Sequence, residues 1–124
     1  MILLTVEEMI ALHTKLTAKT GGSDGLRDRG LLESAVYSAG SSFGGREVYP
    51  TVPEKAARLM YALVSNHAFV AGNKRIGVLA LLMTLGLNGI RLQYTQAELT
   101  ELGLSAGAGE MKYDEILDWV LRHC

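Results

Sequence analysis

Cysteine is almost missing from the 124-residue sequence, where the single Cys124 is the last residue, so no internal disulfide framework or multi-cysteine metal site is expected. A reducing cytosol is the compartment this predicts. An excess of either charge is missing too: 12 basic and 13 acidic residues leave a net charge of −1. The chain as a whole therefore offers no electrostatic footprint for nucleic acid or an anionic membrane, and any anion site has to be local. No apolar run has the length of a membrane span. The longest, Ile76 to Leu87, is interrupted by Thr84 and two glycines and falls short of the roughly 20 residues a bilayer requires. Met1 to Glu8 turns acidic after a short apolar stretch without a basic flank, so no secretory signal is expected there. Internal repeats and low-complexity segments are absent as well. The longest period-2 stretch is only Ile90-Arg91-Leu92, with room for a small hairpin within residues 41 to 49.

What is present is a globular composition, with 48% apolar and 20% charged residues, which predicts one domain over residues 1 to 124. Its helices announce their starts. Thr5-Val6-Glu7-Glu8, Thr51-Val52-Pro53-Glu54 and Thr95-Gln96-Ala97-Glu98 each read as a capping box, in which the threonine hydroxyl and the glutamate carboxylate satisfy orphan backbone N–H groups reciprocally. After the first box, Val6, Met9, Ile10, His13 and Leu16 recur at helical spacing until Gly21-Gly22. His13 shares that apolar stripe and reads as a core histidine.

Residues 21 to 30, rich in glycine and aspartate, form a loop. A short amphipathic helix carrying Leu31, Leu32, Ala35, Val36 and Ala39 follows, and a second loop runs to Pro50. The segment Asn73 to Asn88 is apolar nearly all round, which predicts a helix buried inside the domain. After the third box the periodic residues end at Leu104, before a glycine-containing stretch, and a last helix carries Ile116, Leu117, Val120 and Leu121. The expected fold class is all-α, about six helices packed around residues 73 to 88.

The chemistry concentrates in His67-Ala68-Phe69-Val70-Ala71-Gly72-Asn73-Lys74-Arg75. Gly72 permits a tight turn, and the next residues place two cations and several unpaired N–H groups at a helix start. Such a terminus attracts phosphate through its macrodipole and free donors, and Lys74 and Arg75 add charge-assisted ones. Histidine is the side-chain type that exchanges protons near neutral pH, so His67 is placed to take a proton from an attacking hydroxyl. Phe69 reads as the loop's anchor in the core. Taken alone, these residues also fit a plain Gly-Asn turn with solvated cations and a packed histidine.

The order His-x-Phe-x-x-Gly-Asn-Lys-Arg resembles the signature of the Fic/Doc family, His-x-Phe-x-(Asp/Glu/Asn)-(Gly/Ala)-Asn-(Gly/Lys)-Arg. Further similarity to short death-on-curing proteins lies in Gly21-Gly22-Ser23, Gly25-Leu26-Arg27-Asp28, Leu31 to Ala35, Tyr49-Pro50 and Glu54 to Ala57. The resemblance implies an all-α fold with ATP as the nucleotide and Mg²⁺ as its metal. It also implies His67 as general base, Gly72 and Asn73 shaping the phosphate loop, and Lys74 and Arg75 stabilising charge on the transferring group. Arg27 and Asp28 line the cleft by the same resemblance, or else form an exposed loop pair. Phe43, Glu47, Val48 and Tyr49 form a flap that receives the target, or else a loop packed by its aromatics.

Fic enzymes typically transfer AMP to a protein hydroxyl, whereas Doc-type toxins transfer the terminal phosphate to translation elongation factor Tu. Lys74, where Fic enzymes usually have glycine, and Val78, where they commonly have a second arginine, favour the Doc type. The implied partners are that elongation factor as target and a small antitoxin, and the implied setting is cytoplasmic, with neither direct nucleic-acid binding nor membrane attachment. One departure stands out. At the acidic or asparagine position of the signature this chain has Ala71, whose methyl group ligates nothing. Natural drift, an inactivating replacement and a non-catalytic homologue that only binds each account for it. Trp119 reads as a half-buried packing residue, His123 as a partner of a helix C-terminus and Cys124 as a disordered terminal thiol.

Overall fold

A computed structural model describes residues 1 to 22 and 25 to 124. Ser23 and Asp24, in the first predicted loop, lie outside the described residues. The helices are α1 (Val6–Thr20), α2 (Arg29–Ser38), α3 (Val52–Asn66), α4 (Asn73–Leu87), α5 (Gln96–Gly107) and α6 (Tyr113–Arg122). A hairpin of β1 (Ser42–Phe43) and β2 (Arg46–Glu47) lies between α2 and α3. All three capping boxes form, with Thr5, Thr51 and Thr95 each accepting from the backbone N–H of its glutamate. Gly21 ends α1 in the left-handed conformation and returns its N–H to Thr17 O at 2.9 Å. Gly44 and Gly45, both at positive φ, make the tight turn that closes the hairpin.

α2 begins at Arg29, two residues before the apolar pattern, because Asp28 caps it by accepting from Leu31 N at 3.1 Å. α5 runs past its expected end at Leu104 to Gly107. Ser105 and Ala106 are buried there, and the Ser105 hydroxyl donates to Glu101 at 2.8 Å. Packing thus holds the last turn despite its weak local propensity.

The antiparallel pair α3 and α4 is the spine, and it crosses closely at Gly77. A β-carbon there would lie 2.7 Å from Val64 Cγ1 and 3.4 Å from Met60 O, so no side chain fits between the helices. One apolar cluster, including Met9, Leu32, Leu63, Phe69 and Ile76, fills the space toward α1 and α2. A second, including Met60, Leu81, Leu85, Leu102, Ile116 and Val120, fills the space toward α5 and α6.

α4 contributes to both clusters but is not buried all round. Ile76, Gly77, Ala80, Leu81 and Leu85 are buried, whereas Val78, Leu79 and Leu82 are only partly covered. They form the wall of an open cleft. Apolar composition alone does not distinguish a core flank from a cleft wall. No helix among the described residues is long and apolar enough to cross a membrane.

The hairpin is tied to the start of α3. Buried Lys55, near the start of α3, donates to Glu47 on β2 at 2.8 Å and to Ala39 O at 3.2 Å. His67 caps the other end of the helix, which rises roughly 18 Å between the two residues. The backbone beside the signature loop comes from residues 25 to 28. Leu26 pairs antiparallel with Phe69, and Val70 N donates to Gly25 O at 2.9 Å.

Trp119 is buried rather than half-buried, stacked at 3.9 Å on the His123 ring. Cys124, instead of trailing free, directs Sγ at Val120 O, 3.2 Å away. His123 ties α6 to α5, with Nδ1 at 2.6 Å from Trp119 O and Nε2 at 3.0 Å from the Glu98 carboxylate. Both ring nitrogens face acceptors, so the imidazolium, which donates from both, is the form that fits. The Trp119 carbonyl and then Glu98 raise the His123 pKa, and His123 and then Thr95 hold Glu98 down to about 2.

The stabilising contribution of His123 is complete below its ordinary 6.5 and is lost as pH rises through the raised value. That of Glu98 is complete above its ordinary 4.5 and is lost as pH falls toward about 2. The tether is therefore strongest between these ordinary values. Thermal unfolding followed by circular dichroism across pH should show the alkaline loss in the parent chain and not in His123→Gln. An identical alkaline slope in both would remove His123 as its cause.

Candidate functional site

His67 ends α3 in the left-handed region, φ 51° and ψ 53°, and is the only non-glycine residue with positive φ among those described. A β-branched or bulky side chain pays for that conformation in steric energy, so something must hold it. Arg27 does. Its Nε donates to His67 O at 2.7 Å and its terminal nitrogen to Asn66 O at 3.2 Å, while the backbone N–H groups of Arg27 and Asp28 both reach Ala68 O. The His67 side chain itself is exposed.

The loop that follows is braced from three sides. The Phe69 ring is 2% exposed and stacks on His13, with centroids 3.9 Å apart and planes 10° from parallel. Buried Asn73 turns its amide back on the loop, donating to Phe69 O at 3.0 Å and accepting from Phe69 N at 3.1 Å. His13 Nε2 lies 2.8 Å from Ala71 O. The Asn73 side chain is thus spent on shaping the loop, and His13, legible in the sequence only as a core residue, is also a brace of the signature segment. The signal available for it was its place on the apolar stripe of α1.

Gly72 adopts φ 77° and leads into α4 with no side chain capping the helix. The first N–H groups of α4 are therefore available to a ligand. Lys74 and Arg75 flank them, both exposed, and neither forms an ion pair among the described residues. His67, Gly72, Asn73, Lys74 and Arg75 all line one cleft of about 860 Å³, whose far wall is α5. That volume suits a small-molecule ligand. No carboxylate lines it, so nothing on the walls opposes an anion.

Arg27 and Asp28 do not line this cleft. Arg27 is occupied by the end of α3 and Asp28 by the start of α2. The cleft also does not present the ligands of a protein-held Mg²⁺. Ala71 offers a methyl group, and no cluster of three or more His, Cys, Asp or Glu side chains among the described residues can hold a metal. The donor set of the loop does not fit that ion.

Residues 3 to 85 match the Fic/DOC family, and the chain belongs to that family. Toxin Doc of Mycolicibacterium smegmatis is 42% identical over 72 residues, which cover 58% of this chain and 55% of that protein. Protein kinase doc of Escherichia phage P1 is 28% identical over 119 residues, covering 96% of this chain and 93% of the phage protein. The alignment with the mycobacterial toxin thus spans only about half of that relative's length.

Proposed function

We propose that this protein is a Doc-type toxin that transfers the terminal phosphate of ATP to a serine or threonine hydroxyl of a translation factor of the elongation factor Tu class. The observation that carries the reading is the cleft in which exposed His67 shares a carboxylate-free wall with the uncapped start of α4, Lys74 and Arg75. The phage relative, whose name is that of a protein kinase, aligns along almost the whole chain, which supports phosphoryl rather than adenylyl transfer.

In this reading the α4 N–H groups, Lys74 and Arg75 hold the nucleotide's phosphates. The target hydroxyl attacks the terminal phosphorus as His67 takes its proton, the bond to the bridging oxygen breaks, and ADP leaves. The apolar flank of the same cleft, Leu16, Leu79, Leu82 and Leu99, suits an amphipathic helix of a small antitoxin, whose binding would restrain the toxin by covering its site. The reaction is assigned to the cytoplasm, where both ATP and the translation factor occur.

A second reading, a family member that binds without turnover, is favoured by one residue, Ala71, which leaves metal positioning to the nucleotide's own phosphates and water. Purified chain is to be incubated with the elongation factor and ATP labelled at either the terminal or the α phosphate. Transfer of the terminal label alone is the expected result. Transfer of the α label would identify an AMP transferase. If neither label moves and Ala71→Asp also remains silent, the binding-only reading replaces this one.

A further inference from the structure

Gly107 raises a question that its backbone does not answer. It is the last residue of α5 and does not adopt positive φ, so conformation gives no reason for glycine, and glycine is the poorer helix former. Its neighbour across the cleft supplies the reason. A β-carbon at Gly107 would overlap Lys74 Cδ, and would lie 2.5 Å from Lys74 Cγ and 3.5 Å from Lys74 Cε. One turn earlier, a β-carbon at Gly103 would lie 3.3 Å from Val78 Cγ2.

Lys74 and Val78 stand at i and i+4 on α4, and Gly103 and Gly107 at i and i+4 on α5. Side chains at this spacing form one ridge on a helix face, and paired glycines at the same spacing form a groove that accepts it. The stem of Lys74 thus lies against bare backbone at the cleft edge, and its ammonium has no carboxylate partner among the described residues to fix it otherwise.

We propose that Gly107, supported by Gly103, is a positioning residue for the phosphate-binding cation: the glycine groove of α5 seats the Lys74 stem and so aims its ammonium into the cleft. Without the seat, a flexible four-carbon stem would keep most of its rotamer freedom and hold an anion less well, because ordering it would then be charged against binding. This inference rests on the reading of Lys74 as a phosphate-binding residue, and its test separates the two.

The test uses the full chain, with lysine side chains labelled for NMR, the Lys74 resonance assigned by its loss in Lys74→Ala, and ATP affinity measured by calorimetry. Gly86→Ala is the control, since a β-carbon at Gly86, also near a helix end, meets nothing within 4 Å. Gly107→Ala is expected to move the Lys74 resonance and to weaken ATP binding about tenfold, as Lys74→Ala does, the size of one lost charge-assisted contact. Its melting temperature should be unchanged or higher, an outcome that a merely structural role would not combine with lost affinity. Combining Gly107→Ala with Lys74→Ala should cost no further affinity, because both act on one contact.

An unmoved Lys74 resonance in Gly107→Ala overturns the proposal, and so does unchanged affinity in Gly107→Ala when Lys74→Ala weakens binding. Unchanged affinity in Lys74→Ala overturns the phosphate-binding reading, and this inference falls with it. If Gly107→Ala fails to fold, the variant that also carries Lys74→Ala, freed of the overlap, should fold. Its failure to do so would equally overturn the proposal.

Discussion

His67→Ala is expected to reduce phosphate transfer about 10²–10⁴-fold, the range a general base contributes, while leaving the fold intact. The side chain is exposed and lines the cleft, so its removal opens no core cavity. What holds this position is backbone, the His67 carbonyl under Arg27 and the Ala68 carbonyl under two N–H groups, and those contacts survive truncation of the imidazole. The left-handed φ of 51° supplies a second, sharper variant. Glycine adopts that conformation without strain, so His67→Gly should lose transfer as fully as His67→Ala with a melting temperature at or above that of His67→Ala. Rates are to be measured in the parent chain, or in Ala71→Asp if only that variant transfers label. Transfer within a few-fold of the parent in both variants would remove His67 from the mechanism.

Phe69→Ala should have the largest effect on stability and a secondary one on the site. The ring is 2% exposed, belongs to the α1/α2 cluster and stacks on His13. Truncating a buried phenylalanine costs about 3–5 kcal/mol through lost burial and the cavity left behind. In a chain of this size that corresponds to a fall in Tm of roughly 10 °C or more. The loss also propagates along the chain, because the residue's N–H and carbonyl are both held by Asn73, at the first residue of α4. ATP affinity should therefore fall even at temperatures where the variant remains folded. Phe69→Leu, which refills part of the cavity, should recover most of the stability. Thermal unfolding and calorimetry of the two variants decide the matter, and a loss below about 1 kcal/mol in Phe69→Ala would show that the ring is not the anchor of the loop.

The His13–Phe69 stack also accounts for how the loop stays fixed without regular structure. Residues 68 to 72 belong to no helix, yet Ala68 and Val70 have backbone partners in residues 25 to 28, Phe69 is held at both N–H and carbonyl by the Asn73 amide, and the Ala71 carbonyl lies against His13. A loop with its polar groups satisfied in this way behaves as a scaffolded element rather than a linker. Such rigidity is what a site requires when its chief task is to place donors around phosphate before the ligand arrives.

The sequence by itself determined the starts of three helices, because capping is local: Thr5, Thr51 and Thr95 each find their glutamate three residues on, whatever the rest of the chain does. It also marked the candidate site, since residues 67 to 75 bring histidine, glycine and two cations to a single helix start. Everything that depends on one helix meeting another waited for the tertiary structure. Only packing showed that buried Lys55 of α3 ties down the hairpin at Glu47, that Arg27 grips the His67 carbonyl, and that His13 braces Ala71. Val78, Leu79 and Leu82 read as core because an apolar side chain has the same pattern against a neighbouring helix as against an open cleft. Gly107 fell in the glycine-containing stretch beyond the expected helix end for a related reason: propensity is a property of one segment, and the Lys74 stem that occupies the space of its missing β-carbon comes from another.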